Sequence, residues 1–360
     1  MVVAGLVVRF QVIRRDVEGW ENYQQECRSR GEDLGIEKWL PPKIAEADNA
    51  FAHPWMREFL KEDFSPQGEA IDALQASPGL GIEDYEVQVE DGENSKLWFD
   101  DKPAERDRVL EAGRAHAADF TAIHELAARP GARLDVDTSR IYESSCRFPA
   151  NLSHIGPMLG LHAAAALSAG DEAAAVADLE ALLRLGSHFR SQNFLLPQVV
   201  GAALEGSALP VIEAGAARNS FSPASKQRLR TARRTRKIED ELAACWRGER
   251  GVFLQTLESI VKMEGRTGSA PFAGFFYPPK RYQAVNSLAF CEILDPALAA
   301  PVSLAGWQDF ERRVALIFNE KGNDDPAQIT HGTLMMGGGV VGGMLVQEED
   351  MDRIFKLLVP

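Results

Sequence analysis

The sequence predicts a mainly α protein: an irregular helical bundle or a short solenoid-like array, with long ordered loops and little β structure. Alanine- and leucine-rich runs from Leu161 to Gly186 flank the breaker pair Gly170-Asp171, as in two antiparallel helices joined by a tight turn. Residues 189–217 form a second long, largely apolar stretch. Only YEVQVE, residues 85–90, alternates in the manner of a strand.

Composition sets the broad class. Of the 360 residues, 45% are hydrophobic, which is enough to build a core. We divide the chain into three regions: 1–103, 104–264 and 265–360. The formal net charge of -14 argues against nucleic acid as a partner, because a phosphate backbone needs broad neutralisation by Lys and Arg. The basic run 226–237 carries its charges all round a helix and is interpreted as a solvated face.

The N-terminal region, 1–103, combines a helix, a Pro-rich strap and an acidic loop. Apolar residues at three- and four-residue steps predict a helix from Asp16 to Arg30, and Gly31 can cap its end. Pro41-Pro42 forces an extended exit. The following strap, residues 31–60, is expected to be pinned to the core by three aromatic side chains and to end in a short helix: Phe51, Trp55 and Phe59.

The central region, 104–264, is expected to be the helical core. A helix is predicted from Pro103 to Ala128, ahead of the hairpin at Gly170-Asp171. The next helix should begin after Ser191 or Asn193 and be kinked by Pro210. Ser222 and Pro223 then suit the N-cap and first positions of a helix that we expect to run on to Ile260.

The C-terminal region, 265–360, combines an aromatic loop, two helices and a Gly-rich tail. The helices are predicted at Tyr282–Leu294 and Trp307–Asn319. The tail, residues 331–346, fits a glycine-tolerant apolar strand pair or a close-packed segment of small residues, and both alternatives stay open.

No cofactor or metal signature is present, so none is predicted. Gly337, Gly339 and Gly342 match a dinucleotide-loop spacing, but no βαβ unit surrounds them. The histidines do not cluster: His116 and His124, and likewise His154 and His162, lie eight residues apart rather than four, and are interpreted as structural. The four cysteines are widely spaced, which favours free buried thiols, with long-range disulfides left open outside the cytoplasm.

A structural ion-pair cluster is the most specific polar feature that the sequence predicts. Glu205 lies within the apolar run VVGAALEGSALPVI, and an ionised carboxylate there needs a partner. The later helix carries Arg247, Glu249 and Arg250. We therefore expect Glu205 to pair with Arg247 or Arg250 in a buried or half-buried cluster that locks two helices together.

An aromatic loop is the candidate surface for a partner. The motif FFYPPKRY contains Phe275, Phe276, Tyr277 and Tyr282. If exposed, these rings would form a contact patch for a protein partner, and if buried they would belong to the core.

The order of several motifs in this chain resembles that in a known family of proteins. The order Arg30-Gly31-Glu32, Pro41-Pro42 and Asn49-x-Phe51 resembles the N-terminal signature of a group of uncharacterised bacterial helical proteins, although Ala47 stands where that group has a proline. It continues through Gly170-Asp171 and Glu249-Arg250 and covers about residues 15–290. Members commonly begin with a membrane-anchoring helix and have no established activity. The hairpin is also similar to one tetratricopeptide unit, in a single copy.

The resemblance implies a non-enzymatic binding or scaffolding protein of the bacterial cell envelope, with a protein partner. Membrane association would go through a missing or truncated N-terminal anchor, because the apolar start MVVAGLVV is too short to span a bilayer. The alternative is a hydrolase or other enzyme whose dispersed site lies between the helical core and the strap at residues 31–60. The sequence alone leaves open whether the chain is an enzyme.

Overall fold

The computed structural model describes residues 2–61, 99–135, 152–233, 237–267, 279–299, 344 and 347–359. All regular elements in these ranges are helical, and the only β contact there is an isolated parallel bridge between Asn49 and Gly131. The predicted mainly α fold class is confirmed.

The helices are numbered in chain order. They are α1 (Val2–Ser29), α2 (Pro54–Lys61), α3 (Pro103–Ala115), α4 (Ala117–Ala127), α5 (Leu152–Ser168), α6 (Glu172–Arg190), α7 (Leu195–Ala217), α8 (Pro223–Ala232), α9 (Ile238–Thr267) and α10 (Pro279–Ala299). Short 3₁₀ helices occupy Ile36–Trp39, Glu46–Asp48 and Ala50–Ala52, and residues 347–356 are helical.

The predicted hairpin at Gly170-Asp171 is confirmed as the pair α5 and α6. Gly170 has a φ of +82°, in the left-handed region that glycine adopts without strain. The Asp171 side chain then accepts a hydrogen bond from the backbone N–H of Ala174 at 3.0 Å and caps α6. Local chemistry alone therefore ends one helix and starts the next.

Helices α5, α6 and α7 pack against one another around the main hydrophobic core. The closest approach is between α6 and α7, where a Cβ placed on Gly201 would lie only 2.6 Å from the carbonyl oxygen of Gly186. The two backbones are therefore in direct contact at this crossing, and no larger residue fits there.

The prediction of one helix from Pro103 to Ala128 is wrong in one respect, because the helical segment is divided at His116 into α3 and α4. No glycine or proline marks the break. The two halves pack on different partners, α3 on α5 and α4 on α6, so the chain must change direction between them. Tertiary packing here overrides a continuous helical pattern.

The single helix expected from Pro223 to Ile260 is also divided, into α8 and α9. Its start is as predicted, since the Ser222 hydroxyl accepts a hydrogen bond from the backbone N–H of Ser225 at 3.2 Å. Arg233 ends α8 in an extended conformation, and its guanidinium bonds Glu348 and Asp352 of the C-terminal helical segment.

A second group of helices contains α1, α9 and α10. Helix α1 begins well before the predicted Asp16 and ends as predicted before Gly31, whose φ is +71°. It packs on α10, which covers the predicted helix Tyr282–Leu294, and α10 packs on α9. The strap between α1 and the core is anchored as expected, because three aromatic side chains are buried: Phe51, Trp55 and Phe59.

Helix α7 is continuous through Pro210 and starts at Leu195, slightly later than predicted. Among the described residues it is the one helix long and apolar enough to cross a membrane, yet most of that apolar stretch is buried within the protein, as in a core helix.

Three predicted features lie outside the described residues: the helix at 307–319, the strand at 85–90 and all but residue 344 of the tail 331–346.

We expect Gly201→Ala to lower the free energy of unfolding by about 1–3 kcal/mol, the usual range for overpacking a close-packed interior. The new methyl group would meet the Gly186 carbonyl oxygen, which belongs to the backbone and can move only if the helices separate. Urea unfolding followed by far-UV circular dichroism measures the change.

The control is Gly206→Ala on the same helix. A Cβ at Gly206 would meet only the flexible end of Gln347, at 3.1 Å, and alanine favours a helix over glycine by about 1 kcal/mol. Equal losses in the two variants would contradict a special close approach at Gly201.

Candidate functional site

A buried carboxylate on α6 holds two imidazoles from neighbouring helices. Asp178 is 1% exposed. Its Oδ1 lies 2.8 Å from Nε2 of His124 on α4, and its Oδ2 lies 2.6 Å from Nδ1 of His162 on α5. One carboxylate therefore links three helices and orients both rings.

The packing around His162 shows how the local sequence makes room for this arrangement. A Cβ on Gly113 of α3 would lie 2.5 Å from Cδ2 and Nε2 of the imidazole, so glycine is needed where α3 passes the ring. The ring of Phe120 packs against the same imidazole, with centroids 4.7 Å apart. The orientation of His162 is thus set by contacts on two sides as well as by Asp178.

This cluster forms part of the wall of a pocket of about 460 Å³, which we call the Asp178 pocket. Its apolar lining includes Leu110, Phe120 and Ala174, and Arg114 and Thr121 add polar groups. The guanidinium of Arg114 has no hydrogen bond or ion pair within the described part of the chain. The pocket therefore combines an apolar body with a few convergent polar groups, the usual composition of a small-molecule site.

The two imidazoles differ in their access to the pocket. The side chain of His124 is 33% exposed and that of His162 is 17% exposed. The ring nitrogens that face away from Asp178, Nδ1 of His124 and Nε2 of His162, have no hydrogen-bond partner among the described residues. When each neutral ring places its proton toward the carboxylate, these nitrogens are acceptors and bases.

The described residues contain no group of three or more His, Cys, Asp or Glu side chains arranged as a metal site. The Asp178 cluster instead has its carboxylate between the two rings, so Asp178 occupies one nitrogen of each imidazole. The contacts that the cluster shows are hydrogen bonds between the carboxylate and the two rings.

The ion pair that the structure shows for Glu205 is with Arg190, and the four residues of the predicted cluster make separate contacts. Glu205 is 1% exposed, and its carboxylate lies 3.3 Å from Nη1 of Arg190 on α6. Arg190 also bonds Glu241 of α9 at 3.1 Å. The crossing of α6 and α7 at Gly186 and Gly201 brings Arg190 next to Glu205.

The two arginines expected to pair with Glu205 have other contacts. Arg250 is fully buried and bonds Glu32 and Asp295, each at 3.1 Å. Arg247 lies over the ring of Trp39, with its guanidinium carbon 5.7 Å from the ring centroid. Both arginines therefore tie α9 to neighbouring segments and not to α7.

Glu249, the fourth predicted member of the cluster, has no arginine partner among the described residues. Its carboxylate accepts a hydrogen bond from the backbone N–H of Leu195 at 2.6 Å, at the start of α7. Desolvation raises the pKa of Glu249 above its usual range, and the bond from Leu195 only partly offsets this effect. The carboxylate acts as a cap for α7 in a poorly hydrated position.

Three of the four cysteines lie in the described ranges, and all three are free and buried: Cys27, Cys245 and Cys291. Burial raises the pKa of Cys291 to about 12, so its thiol stays protonated at neutral pH. The interpretation as free buried thiols is confirmed for these three residues.

The candidate partner surface falls outside what the structure describes. Phe275, Phe276 and Tyr277 lie outside the described residues, and Tyr282 lies on α10 without a described side chain. The aromatic contact patch therefore stays a prediction.

Sequence reasoning missed the Asp178 cluster because it looked for histidines four residues apart on one helix. The available signal was Asp178 itself, which lies three and four residues from Ala175 and Leu182 on the apolar face of α6. A carboxylate on the apolar face of a helix needs a partner, as Glu205 does in its own apolar run.

No protein-family model, curated protein or solved structure matches the chain. The resemblance to a family of bacterial helical proteins therefore stays a prediction, and the function has to be argued from the geometry.

We expect Arg190→Met to lower the free energy of unfolding by about 3–5 kcal/mol, since it removes a buried guanidinium that bonds Glu205 and Glu241. The control on the same helix is Arg184→Met, which breaks a half-exposed pair with Glu180 and should cost about 0–1 kcal/mol. Chemical unfolding of both variants gives the comparison. Replacing Glu205 and Glu241 by glutamine in the Arg190→Met chain should recover part of the loss, and no recovery would contradict the charge argument.

We expect Glu249→Gln to raise stability at pH 7 and to change it little at pH 4. Folding raises the pKa of this carboxyl group above 4.5, its value in the unfolded chain. The ionised group therefore destabilises the folded protein increasingly as the pH rises from 4.5 through the folded-state pKa. The glutamine oxygen can still accept the hydrogen bond from Leu195. Thermal unfolding at the two pH values measures the difference, and the exposed control Glu111→Gln should stay within about 0.5 kcal/mol of the parent chain.

Proposed function

We propose that this chain is a binding protein and that its ligand occupies the Asp178 pocket. This is the class of function that the sequence favours. The observation that carries the proposal is the buried Asp178 carboxylate, which orients two imidazoles at the wall of a pocket of about 460 Å³.

The exposure of the imidazoles supports binding over a purely structural link. A link between helices needs no access to solvent, as Arg190 and Glu205 show, since each is 1% exposed. The His124 side chain is instead 33% exposed and borders the pocket. A polar group that is held rigidly by a buried partner and still faces a pocket is suited to contact a ligand.

The lining indicates the kind of molecule that fits. The apolar walls suit a hydrocarbon or aromatic body, and the volume lies in the usual range of small-molecule sites, about 300–1,000 Å³. Nδ1 of His124 can accept a hydrogen bond from a ligand O–H or N–H. The guanidinium of Arg114 can meet an anionic end of the same molecule.

The wider role as a scaffolding protein of the bacterial cell envelope, with a protein partner, is supported by the family resemblance alone. It stays a prediction, as do the membrane association and the similarity of α5 and α6 to one tetratricopeptide unit.

Acid–base catalysis in the same pocket is a second candidate function, which the contacts of Asp178 with His124 and His162 favour. A carboxylate on Nδ1 orients an imidazole and stabilises its protonated form, as in catalytic triads. Nε2 of His162 faces Gly113, however, so the more exposed His124 is the ring placed to exchange a proton with a bound molecule. This site differs from the enzyme site expected at the strap, because both histidines and Asp178 belong to α4, α5 and α6.

Ligand-observed NMR with a set of small carboxylates, alcohols and amides tests the binding proposal. We expect members of this set to bind the parent chain and to weaken by about tenfold or more in Ala117→Trp, a loss of about 1.4 kcal/mol. Ala117 is exposed, lines the pocket and lies in the first turn of α4, so the indole would fill the opening.

The matched control is Ala118→Trp, an exposed position one residue along that does not line the pocket. Binding that is absent from the parent chain, or that weakens equally in both variants, would refute the proposal. Turnover of an ester, amide or phosphoester that is lost in His124→Gln would instead favour the acid–base enzyme.

A further inference from the structure

A second pocket, of about 380 Å³, lies between α1, the turn at residues 32–37, α9 and α10. We call it the Gly35 pocket. It shares no lining residue with the Asp178 pocket. The strap at residues 31–60, next to which an enzyme site is expected from the sequence, begins at this pocket. The helices that surround the pocket are α1, α9 and α10.

Two carboxylates converge on the open face of Gly35. A Cβ built on this glycine would lie 3.1 Å from Oδ1 of Asp33 and 3.2 Å from Oε2 of Glu37. Oδ1 of Asp33 accepts one hydrogen bond, from the backbone N–H of Gly35 at 2.8 Å. Glu37 makes no hydrogen bond or ion pair in the described ranges. Both groups can therefore accept hydrogen bonds from a donor in the pocket.

The charges that line the pocket are mostly negative. Glu32 and Glu258 also line it, and Glu32 is already bonded by Arg250 and Arg30. Arg28 is the single basic residue among the lining residues that the structure describes. The carboxylates of Asp33 and Glu37, unlike that of Glu32, form no ion pair with an arginine among the described residues. This side of the pocket therefore favours a cation.

An independent observation points to a ligand at the wall of the same pocket. Ser287 of α10 is fully buried and lines the pocket, and its hydroxyl oxygen has no hydrogen-bond partner among the residues that the structure describes. A buried hydroxyl without a partner is unfavourable, and most buried polar groups in native proteins bond to protein or to a bound molecule such as water. The Ser287 oxygen can accept an N–H from a molecule that enters the pocket.

We propose that the Gly35 pocket binds a small aliphatic amine in its ammonium form. The three N–H groups of an ammonium match acceptors on Asp33 and Glu37, and charge-assisted bonds of this kind are the stronger class of hydrogen bond. In a diamine the hydrocarbon chain packs on Trp20 and Leu254, and the second nitrogen, which is also an ammonium at neutral pH, donates an N–H to Ser287. This site is independent of the ligand proposed for the Asp178 pocket.

Calorimetric titration of the full chain with 1,4-diaminobutane at low salt tests the proposal. We expect saturable binding with a stoichiometry of one that weakens by about tenfold or more in Asp33→Asn/Glu37→Gln, since the variant removes both negative charges that accept the ammonium N–H groups. Ser287→Ala replaces a buried hydroxyl by hydrogen and should also weaken binding, without adding or removing a charge.

The control for net charge is Glu21→Gln/Glu26→Gln, two exposed changes on α1 outside the pocket. Binding to this control should equal that to the parent chain. The proposal is overturned if diaminobutane does not saturate the chain, if the control loses as much affinity as the pocket variant, or if magnesium chloride at the same concentration binds in its place. Circular dichroism establishes that each variant is folded before it is titrated.

Discussion

The direct contact between the backbones of α6 and α7 is the constraint on which the main helical body depends. Gly186 and Gly201 meet so closely that neither position has room for a side chain. The approach encloses Arg190 and Glu205 completely, and buried charges are tolerated only when they neutralise each other. Because α6 also packs on α4, α5 and α8, the position of this one contact determines where the surrounding helices lie.

Helix α6 carries two polar centres of opposite character. Arg190 joins Glu205 and Glu241 away from solvent, so its chemistry is limited to holding α6, α7 and α9 together. Asp178 also joins three helices, but one of its partners, His124, reaches a pocket. A buried charge that bonds side chains from other helices thus holds helices together at one end of α6, and at the other end it orients a partly exposed imidazole at a pocket.

The helices α1, α9 and α10 form a smaller polar and thiol-containing assembly. Arg250 bonds Glu32 and Asp295, and the hydroxyl of Tyr23 donates to Asp295 at 2.5 Å. Desolvation by burial opposes ionisation of Glu32, yet Arg250 and Arg30 hold its pKa below the usual range. Arg250 of α9 thus neutralises Glu32 and Asp295. The neighbouring carboxylates of Asp33 and Glu37 instead line the Gly35 pocket.

The sequence by itself determined the helical class and those helix ends that depend on neighbouring residues. Gly31, Gly170-Asp171 and Ser222-Pro223 act within one turn of the backbone, so their effect can be recognised without the fold. It also required that Glu205 be neutralised, because burial of a charge in an apolar run has the same cost in any fold. Only the tertiary structure decided that Arg190 is the partner, that the chain turns at His116, and that His124 and His162 meet on Asp178. These outcomes depend on the rotation and crossing of helices that are distant in the chain, and no local pattern of residues encodes that geometry.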